Sequence, residues 1–263
     1  MNILSLISFL LSVGVLGAAI FTATDNPKNF VDYHGFLVVV GGTIAATAIS
    51  FQLDRVWVMF KIFWDRTIRG KKIDYVGVIY DLMVFAESYR NDDQSKIKSL
   101  TQSQKDPFLK EAFNALVSEM ADADQLVDIM YKRADTIYER YSQDAQRIKS
   151  IGKYPPAMGL LGAVTGMIAL LGSLGKPGAE KSIGPAMSVA LVATMYGIAM
   201  ANFFIIPIGE NLADAAREIR RKNYIVVEGI RLIMHRTNAI LLAEELNSFL
   251  LPNERLDRKK LKS

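Results

Sequence analysis

Long runs of apolar and small residues alternate with strongly charged stretches along this chain of 263 residues. Two of the runs, residues 154–175 and 182–209, contain no Asp, Glu, Lys, Arg or His. Each is long enough to cross a bilayer, because a transmembrane helix needs about 20 apolar residues. Two further spans are predicted at residues 2–24, which carry no charge, and at residues 33–53, where His34 is the only such group. The pattern therefore predicts an all-α, polytopic membrane protein with four transmembrane helices.

The first apolar run could instead be a cleaved signal peptide. However, it lacks a basic segment at its start, its apolar stretch is long for a signal peptide, and a second span follows closely. We therefore expect residues 2–24 to be retained as the first transmembrane helix.

The segment between the two pairs of spans, residues 54–153, is rich in charge and poor in Gly and Pro, which predicts a helical cytoplasmic domain. No strong helix breaker follows before Tyr154, so its last helix should run on towards the third span. A similar apolar stripe predicts that the fourth span also continues into the cytoplasm, within a C-terminal helix and basic tail at residues 210–263. The stripe before the third span is formed by Leu126, Met130, Ala134, Ile137 and Tyr141.

Composition and charge agree with a mixed membrane and aqueous protein. Hydrophobic residues make up 51% of the chain, and its mean hydropathy is +0.19. Apart from Lys28, Lys176 and Lys181, every Lys and Arg lies in the middle segment or after residue 216. By the positive-inside rule these two regions, and with them both termini, are cytoplasmic. The net charge of +4 therefore indicates membrane orientation and no nucleic-acid partner.

The sequence offers little for enzyme chemistry. It has no Cys, and its two His residues are far apart, so we expect no metal site and no cofactor. The one candidate phosphate loop, at Gly175 and Lys176, fails because Leu170 stands where a P-loop needs Gly and Pro177 where it needs Ser or Thr. We therefore predict that the chain is not an enzyme.

Small residues recur at helical spacing inside the last two spans. Gly162 and Gly166 form a G-x-x-x-G pair, and Ala190 and Gly197 lie on similar stripes, which is typical of close helix packing. A threonine within a membrane helix often bonds only its own backbone, so Thr165 and Thr194 allow either a packing or a pathway role. No span carries a carboxylate, although an ion carrier in lipid usually needs one. If ions pass here, the carrier must belong to another chain.

The run from Pro156 to Gly166, the run from Ser182 to Gly197, and Pro207 resemble the MotA-type stator subunits of the bacterial flagellar motor. The run from Val39 to Phe51 looks like the second span of that family, and the order of spans also matches. The pattern of the last two spans is partly shared with the related ExbB and TolQ energisers, but those have three spans.

The resemblance implies a bacterial inner-membrane protein that conducts ions. In the family, several A-type subunits, thought to be five, form a ring around the single transmembrane helices of a MotB-type dimer, whose Asp carries the ion. By this resemblance Pro156 and Pro207 couple protonation of that Asp to movement, and the Thr194 hydroxyl faces it. Ion flow would turn the ring while the cytoplasmic helices push the rotor protein FliG.

Ion choice rests on one position of the resemblance. Sodium-driven relatives carry a second Thr in the third span, where this chain has Ala163. A bare sodium ion needs oxygen ligands, whereas a proton needs only a base and a hydrogen-bonded route. Ala163 therefore favours H+ over Na+, although nearby Thr165 could partly replace the missing hydroxyl.

The resemblance is weaker at the cytoplasmic rotor contact. Arg90 matches the family, but Asn91, Asp92 and Asp93 replace a glycine-rich turn, and Lys98 stands near the position of an expected Glu. Either the rotor partner has compensating charge, with Asp92 or Asp93 in the acidic role, or the chain drives another machine. Two alternatives follow: an energiser of the ExbB and TolQ kind for another envelope process, and a passive membrane scaffold.

Overall fold

A computed structural model describes residues 26–52, 73–118, 122–174 and 180–256, together with positions 7, 11, 14, 15, 17–22, 24, 54, 56–58 and 61. Most of the first predicted span, residues 2–24, lies outside these described residues. Across the described residues the regular structure is helical, with no strand, which confirms the all-α class.

Nine α-helices follow one another along the described chain. They are α1 Tyr33–Ser50, α2 Tyr75–Arg90, α3 Gln94–Ser103, α4 Pro107–Val117, α5 Ala123–Ile151, α6 Tyr154–Ser173, α7 Glu180–Ala199, α8 Ile206–Met234 and α9 Ala239–Asn247. A short 3-10 helix, Pro27–Phe30, precedes α1, and a π-helical segment, Met200–Ile205, joins α7 to α8.

Side-chain caps explain where several of these helices begin. A carboxylate or amide oxygen just before the helix accepts a hydrogen bond from a backbone N–H of the first turn, which would otherwise lack a partner. The capping residues are Asp32 for α1, Asp74 for α2, Asp93 for α3, Asp106 for α4 and Asn238 for α9.

Three helical stretches among the described residues are long and apolar enough to cross a membrane: Pro27–Ser50, Ala123–Ser173 and Ile183–Met234. They overlap the second, third and fourth predicted spans. The count of four spans and the exact span boundaries stay predictions.

The chain divides into two compact units. The first comprises Met1–Lys71 and Ser142–Asp214, and in it α1 packs on the hairpin of α6 and α7. The second comprises Lys72–Tyr141 and Ala215–Ser263 and has its own apolar core. In that core the Phe85 and Phe113 rings stack with their centroids 3.9 Å apart. The helices α5 and α8 each contribute residues to both units.

The helix before the third span runs as far as that span, with a two-residue turn between them. Helix α5 ends at Ile151, and Gly152 and Lys153 form a turn before α6 begins. Pro155 explains the interruption, because proline has no N–H and its ring clashes with the carbonyl four residues earlier, that of Ile151. The fourth span, in contrast, continues through the π-helical segment into α8.

Candidate functional site: the hairpin of α6 and α7

Glycines let the backbones of α6 and α7 come close together. A Cβ atom added at Gly197 would overlap the Pro155 carbonyl oxygen, and one added at Gly159 would lie 2.8 Å from the Ala193 carbonyl oxygen. Gly162 lies in the same interface, where a Cβ would be 3.0 Å from the Ala193 Cβ. The remaining two predicted packing residues also meet, since a Cβ at Gly166 would lie at an ordinary 3.4 Å from the Ala190 Cβ.

This close packing brings Pro156 and Thr194 to the same helix crossing. The Cβ position of Gly197 is 3.0 Å from the Pro156 Cα, and that of Gly159 is 3.1 Å from the Thr194 Cα. The half-buried Thr194 hydroxyl donates a hydrogen bond of 3.3 Å to the Ala190 carbonyl oxygen of its own helix. This bond is long, so the hydroxyl can exchange it for a better acceptor at little cost.

Helix α1 covers one side of the hairpin. A Cβ at Gly42 of α1 would touch the Met158 sulfur of α6, and one at Gly162 would lie 3.6 Å from Val38 of α1. On α7, the Tyr196 hydroxyl donates to the Phe30 carbonyl oxygen at 2.5 Å and accepts from the Asp32 N–H at 3.2 Å, just before α1 begins.

Thr165 is exposed and shares a helix face with Met158 and Gly162, because the three residues are spaced by four and three. Ala163 is two residues from Thr165, which is about 200° around the helix. Ala163 instead shares its face with Pro156, seven residues earlier. The Thr165 hydroxyl donates to the Gly162 carbonyl oxygen at 2.9 Å. The structure therefore does not bring Thr165 to the position where it could replace a hydroxyl at Ala163.

The side of α7 away from α1 carries one polar residue that sequence reasoning missed. Thr194 and Ile198 each lie two residues from Tyr196, so they point away from α1, and Asn202 follows at the same spacing of four. Asn202 is exposed, and its amide donates to the Ile198 carbonyl oxygen at 3.0 Å. One signal could have found it: Asn202 is the only side-chain amide within residues 154–175 and 182–209.

Pro207 is the second residue of α8, directly after the π-helical segment, and it is exposed. At the end of that segment the Ile206 N–H donates to the Ala201 carbonyl oxygen, five residues earlier. A regular α-helix would place the Pro207 ring against the Phe203 carbonyl, and the wider π turn accommodates it. Short π-helical segments frequently lie at functional sites.

An apolar cavity of about 760 Å³ lies on the α1 side of the first unit. Its wall includes Phe36, Val39 and Thr43 of α1 and, from the π-helical segment, Phe204. The lining is almost entirely apolar and includes Tyr196. Because Tyr196 and Thr194 point to different sides of α7, the cavity is separate from the face that carries Thr194.

The residues predicted to contact a rotor lie at the end of α2 and the start of α3 in the second unit. Arg90 ends α2, Asp92 and Asp93 lie in the turn, and Lys98 lies in α3; all four side chains are exposed. A regular helix begins directly after this turn, at Gln94, and the Asp93 side chain caps it.

A polar cluster joins α5 to α8 in the second unit. Arg220 donates to Asp135 at 3.1 Å and to the Tyr224 hydroxyl at 2.9 Å, and its guanidinium lies 4.6 Å from the Tyr138 ring centroid. The hydrogen bond that Arg220 donates to Tyr224 is the main cause that raises the pKa of Arg220 above its ordinary value. Nearby, burial and then the charge of Glu228 raise the pKa of the Tyr131 phenol. These contacts fasten the two long helices together.

The apolar part of the hairpin and the π-helical segment after it offer hydroxyls and one amide, but no carboxylate, amine or imidazole. Within the described parts of the chain, no group of three or more His, Asp or Glu side chains could hold a metal ion. The hairpin can therefore line a polar path, but none of its own side chains in residues 154–174 or 183–209 can carry a proton by titration near neutral pH.

Comparison with known proteins gives consistent matches. Residues 100–223 match the model of the MotA/TolQ/ExbB proton channel family. Motility protein A of Borreliella burgdorferi is 28% identical over 261 residues, which cover 97% of this chain and 96% of the relative. Chemotaxis protein PomA of Vibrio alginolyticus is 25% identical, with 94% of this chain and 92% of the relative covered.

Two solved structures share the fold. The MotAB structure from C. jejuni has a TM-score of 0.87 at 24% identity and covers 98% of this chain and 100% of its own. The flagellar MotAB stator complex from Bacillus subtilis has a TM-score of 0.83 at 22% identity, with 98% of each chain covered.

In its fold and over residues 100–223, the chain is similar to membrane channel subunits of the MotA/TolQ/ExbB kind, a class that has no enzymatic activity. Within this class, the chain is similar to motility proteins A along nearly its whole length. The resemblance to MotA-type stator subunits is therefore confirmed.

Proposed function

We propose that this chain is the ion-conducting stator subunit of a bacterial flagellar motor, where it couples proton flow to torque on the rotor. One observation carries the proposal: the charge-free hairpin presents Pro156, Ala163 and Thr194 on the side that α1 leaves open. The likeness to motility proteins A over 97% of the chain supports it.

The proton carrier comes from a partner. Because residues 154–175 and 182–209 contain no Asp, Glu, Lys, Arg or His, the acid that a proton path needs inside the membrane must come from a second protein. A one-span MotB-type subunit with an intramembrane Asp fits this need, and both structural neighbours are titled as MotAB assemblies. We propose that a ring of this chain, with five copies, surrounds a dimer of that partner in the bacterial inner membrane.

The proposed topology follows the predicted boundaries. Spans at residues 2–24, 33–53, 154–175 and 182–209 place both termini, residues 54–153 and residues 210–263 in the cytoplasm. The three apolar helical stretches support the second, third and fourth of these spans.

The open face of the hairpin can respond to the charge of the partner acid. When the acid is ionised, the Thr194 hydroxyl can leave its long bond to Ala190 and donate to the carboxylate. Protonation removes that attraction and lowers the cost of moving the acid into an apolar environment. Pro156 and Pro207 flank this face at points where the helical hydrogen-bond ladder is already interrupted, so the hairpin can adjust there.

The same geometry supports protons over sodium. Ala163 offers no oxygen on the open face, and Thr165 lies about 200° from Ala163 around the helix. A sodium ion would find one hydroxyl, at Thr194, whereas hard cations bind several oxygen ligands. A proton needs only the partner acid and a hydrogen-bonded route.

Torque would pass to the rotor protein FliG through the second unit. The proposed contact comprises Arg90, Asp92, Asp93 and Lys98, which are exposed around the α2–α3 turn. Single surface ion pairs are weak, so several must act together.

Complementation tests the proposed function. The chain, produced with its MotB-type partner in cells that lack their own stators, is expected to restore swimming. A protonophore should stop the swimming, and removal of external sodium should leave it unchanged. Swimming that required sodium would contradict the ion choice, and rescue of a TonB- or TolA-dependent process without motility would favour the energiser.

A further inference from the structure

Helices α2 and α8 end in the same unusual way. In each, the N–H of the third residue after the helix bonds back to a carbonyl five residues earlier: Asp93 to Ser88 and Thr237 to Leu232, both at 3.0 Å. This is the Schellman motif, which places the preceding residue in the left-handed region. That residue is Asp92 in the first case, with φ 53°, and Arg236 in the second, with φ 52°.

Stability alone would place glycine at both positions. A side chain strains the left-handed conformation, and glycine is the usual residue in this motif. Asp adopts the conformation more readily than most residues, but Arg has no such advantage. Asp92 and Arg236 are the two residues other than Gly with positive φ among the described residues. The two charged side chains therefore call for a reason other than stability.

The two strained residues form an ion pair with each other. The Arg236 guanidinium lies 3.4 Å from an Asp92 carboxylate oxygen, and the side chains are 58% and 70% exposed. The pair joins the α2–α3 turn to the α8–α9 turn, and we name this surface, residues 90–98 and 235–237, the tip. Because the pair is so exposed, it contributes little to stability.

The acids of the tip are already engaged within the chain. Asp92 pairs with Arg236, and the Asp93 carboxylate caps α3 by accepting from the Lys96 N–H at 3.1 Å. The cations are not engaged in this way. Three exposed cations of the tip form no ion pair with any described residue: Arg90, Lys96 and Lys98. The tip therefore presents a net basic face, and the exposed acid Glu87 lies one turn earlier on α2.

We propose that the tip is a docking surface for an acidic protein surface, and that Arg236 keeps it basic by neutralising Asp92. This rests on the proposed function, in which the docking partner is the rotor protein. The two members of the pair then have opposite effects. Loss of Arg236 removes a cation and frees an acid, whereas loss of Asp92 removes an acid and frees a cation.

Two glycine variants of the full chain, in complex with its MotB-type partner, test this proposal. The probe is a fluorescent peptide rich in Glu and Asp, and its binding to the detergent-solubilised complex is followed by anisotropy at low salt. Arg236→Gly is expected to weaken binding several-fold and Asp92→Gly to strengthen it. Neither should lower the thermal midpoint, since glycine relieves strain at both positions.

A matched control comes from α5. Lys132 is an exposed cation next to Tyr131, and Tyr131 contacts Glu228 of α8. Glu228 is eight residues before Arg236, which is about 12 Å along a helix, so Lys132 lies outside the tip. Lys132→Gln should leave peptide binding unchanged, while Lys98→Gln should weaken it. Equal weakening by Arg236→Gly and Asp92→Gly would show that the pair has only a structural role. Unchanged binding in both variants would show that the tip does not bind an acidic surface. Either result overturns the proposal.

Rotation of tethered cells separates this inference from the proposed function. If the unchanged chain drives no rotation but the peptide results hold, the proposed function fails and the basic docking surface stands. If the chain drives rotation and Arg236→Gly neither slows it nor weakens peptide binding, the inference fails and the proposed function stands.

Discussion

Single glycines determine how closely the two hairpin helices approach. At Gly197 a methyl group would meet the Pro155 carbonyl oxygen and the Pro156 Cα, which are backbone atoms that cannot rotate away. Gly172 lies on the same hairpin, but the space around its Cβ position is open. The two positions therefore separate the effect of close packing from that of helix propensity.

Gly197→Ala is expected to destabilise the chain by about 1–3 kcal/mol, as overpacking in a dense interior typically does. Gly172→Ala is the matched control and should be neutral, or stabilise the helix by up to about 1 kcal/mol. The thermal midpoints of both purified variants in one detergent provide the measurement. Equal midpoints would contradict the close backbone contact.

Among the elements, the π-helical segment distinguishes the fourth span from the third. It lies between α7 and α8, and at its end the Ile206 N–H donates to the Ala201 carbonyl oxygen. Pro207 follows as the second residue of α8. The hydrogen bonds of a π-helical turn are less favourable than those of an α-helix. The α7–α8 junction can therefore rearrange at modest cost. Under the proposed function, we expect ion passage to be coupled to movement at this junction.

Pro207→Leu should restore a backbone N–H, remove the ring clash and let the segment close into a regular α-helix. We expect rotation of tethered cells to stop, while membrane fractionation still finds the protein inserted. Pro185, inside α7, is the comparison site, and Pro185→Leu should keep rotation. Unchanged rotation in Pro207→Leu, or loss of that variant from the membrane, would count against a coupling role.

Some of these elements could be predicted from the sequence and others could not. Charge-free runs predicted the hairpin, since a helix in lipid leaves a strong compositional signal. The break at Gly152 was also open to prediction, because Pro155 is a known helix breaker. The π-helical segment was not, since no residue pattern specifies it. Thr165 is close to Ala163 in sequence, but helix geometry places the two side chains about 200° apart.

At the tip, the sequence showed the departure from a glycine-rich turn but not its consequence. Asp92 and Arg236 are 144 residues apart, and their pairing depends on the packing of the second unit. The structure likewise shows that the Asp93 carboxylate accepts a hydrogen bond from the Lys96 N–H and so caps α3. Which charges remain available to a partner could therefore be determined only from the structure.

For the whole molecule, the central claim is that this chain supplies half of an ion path. The hairpin contributes the Thr194 hydroxyl and the Asn202 amide on its open face, while residues 154–175 and 182–209 contain no titratable acid or base that ionises near neutral pH. The chain alone should therefore conduct poorly, and the complex should conduct through the acid of the partner.

Proton flux into proteoliposomes tests this claim most directly. Vesicles containing both the chain and its MotB-type partner should take up protons under an applied potential. An Asp→Asn change in the partner's membrane helix should abolish the flux, and Thr194→Ala in this chain should reduce it. Equal flux through the chain alone, or flux that survives the Asp→Asn change, would contradict the account.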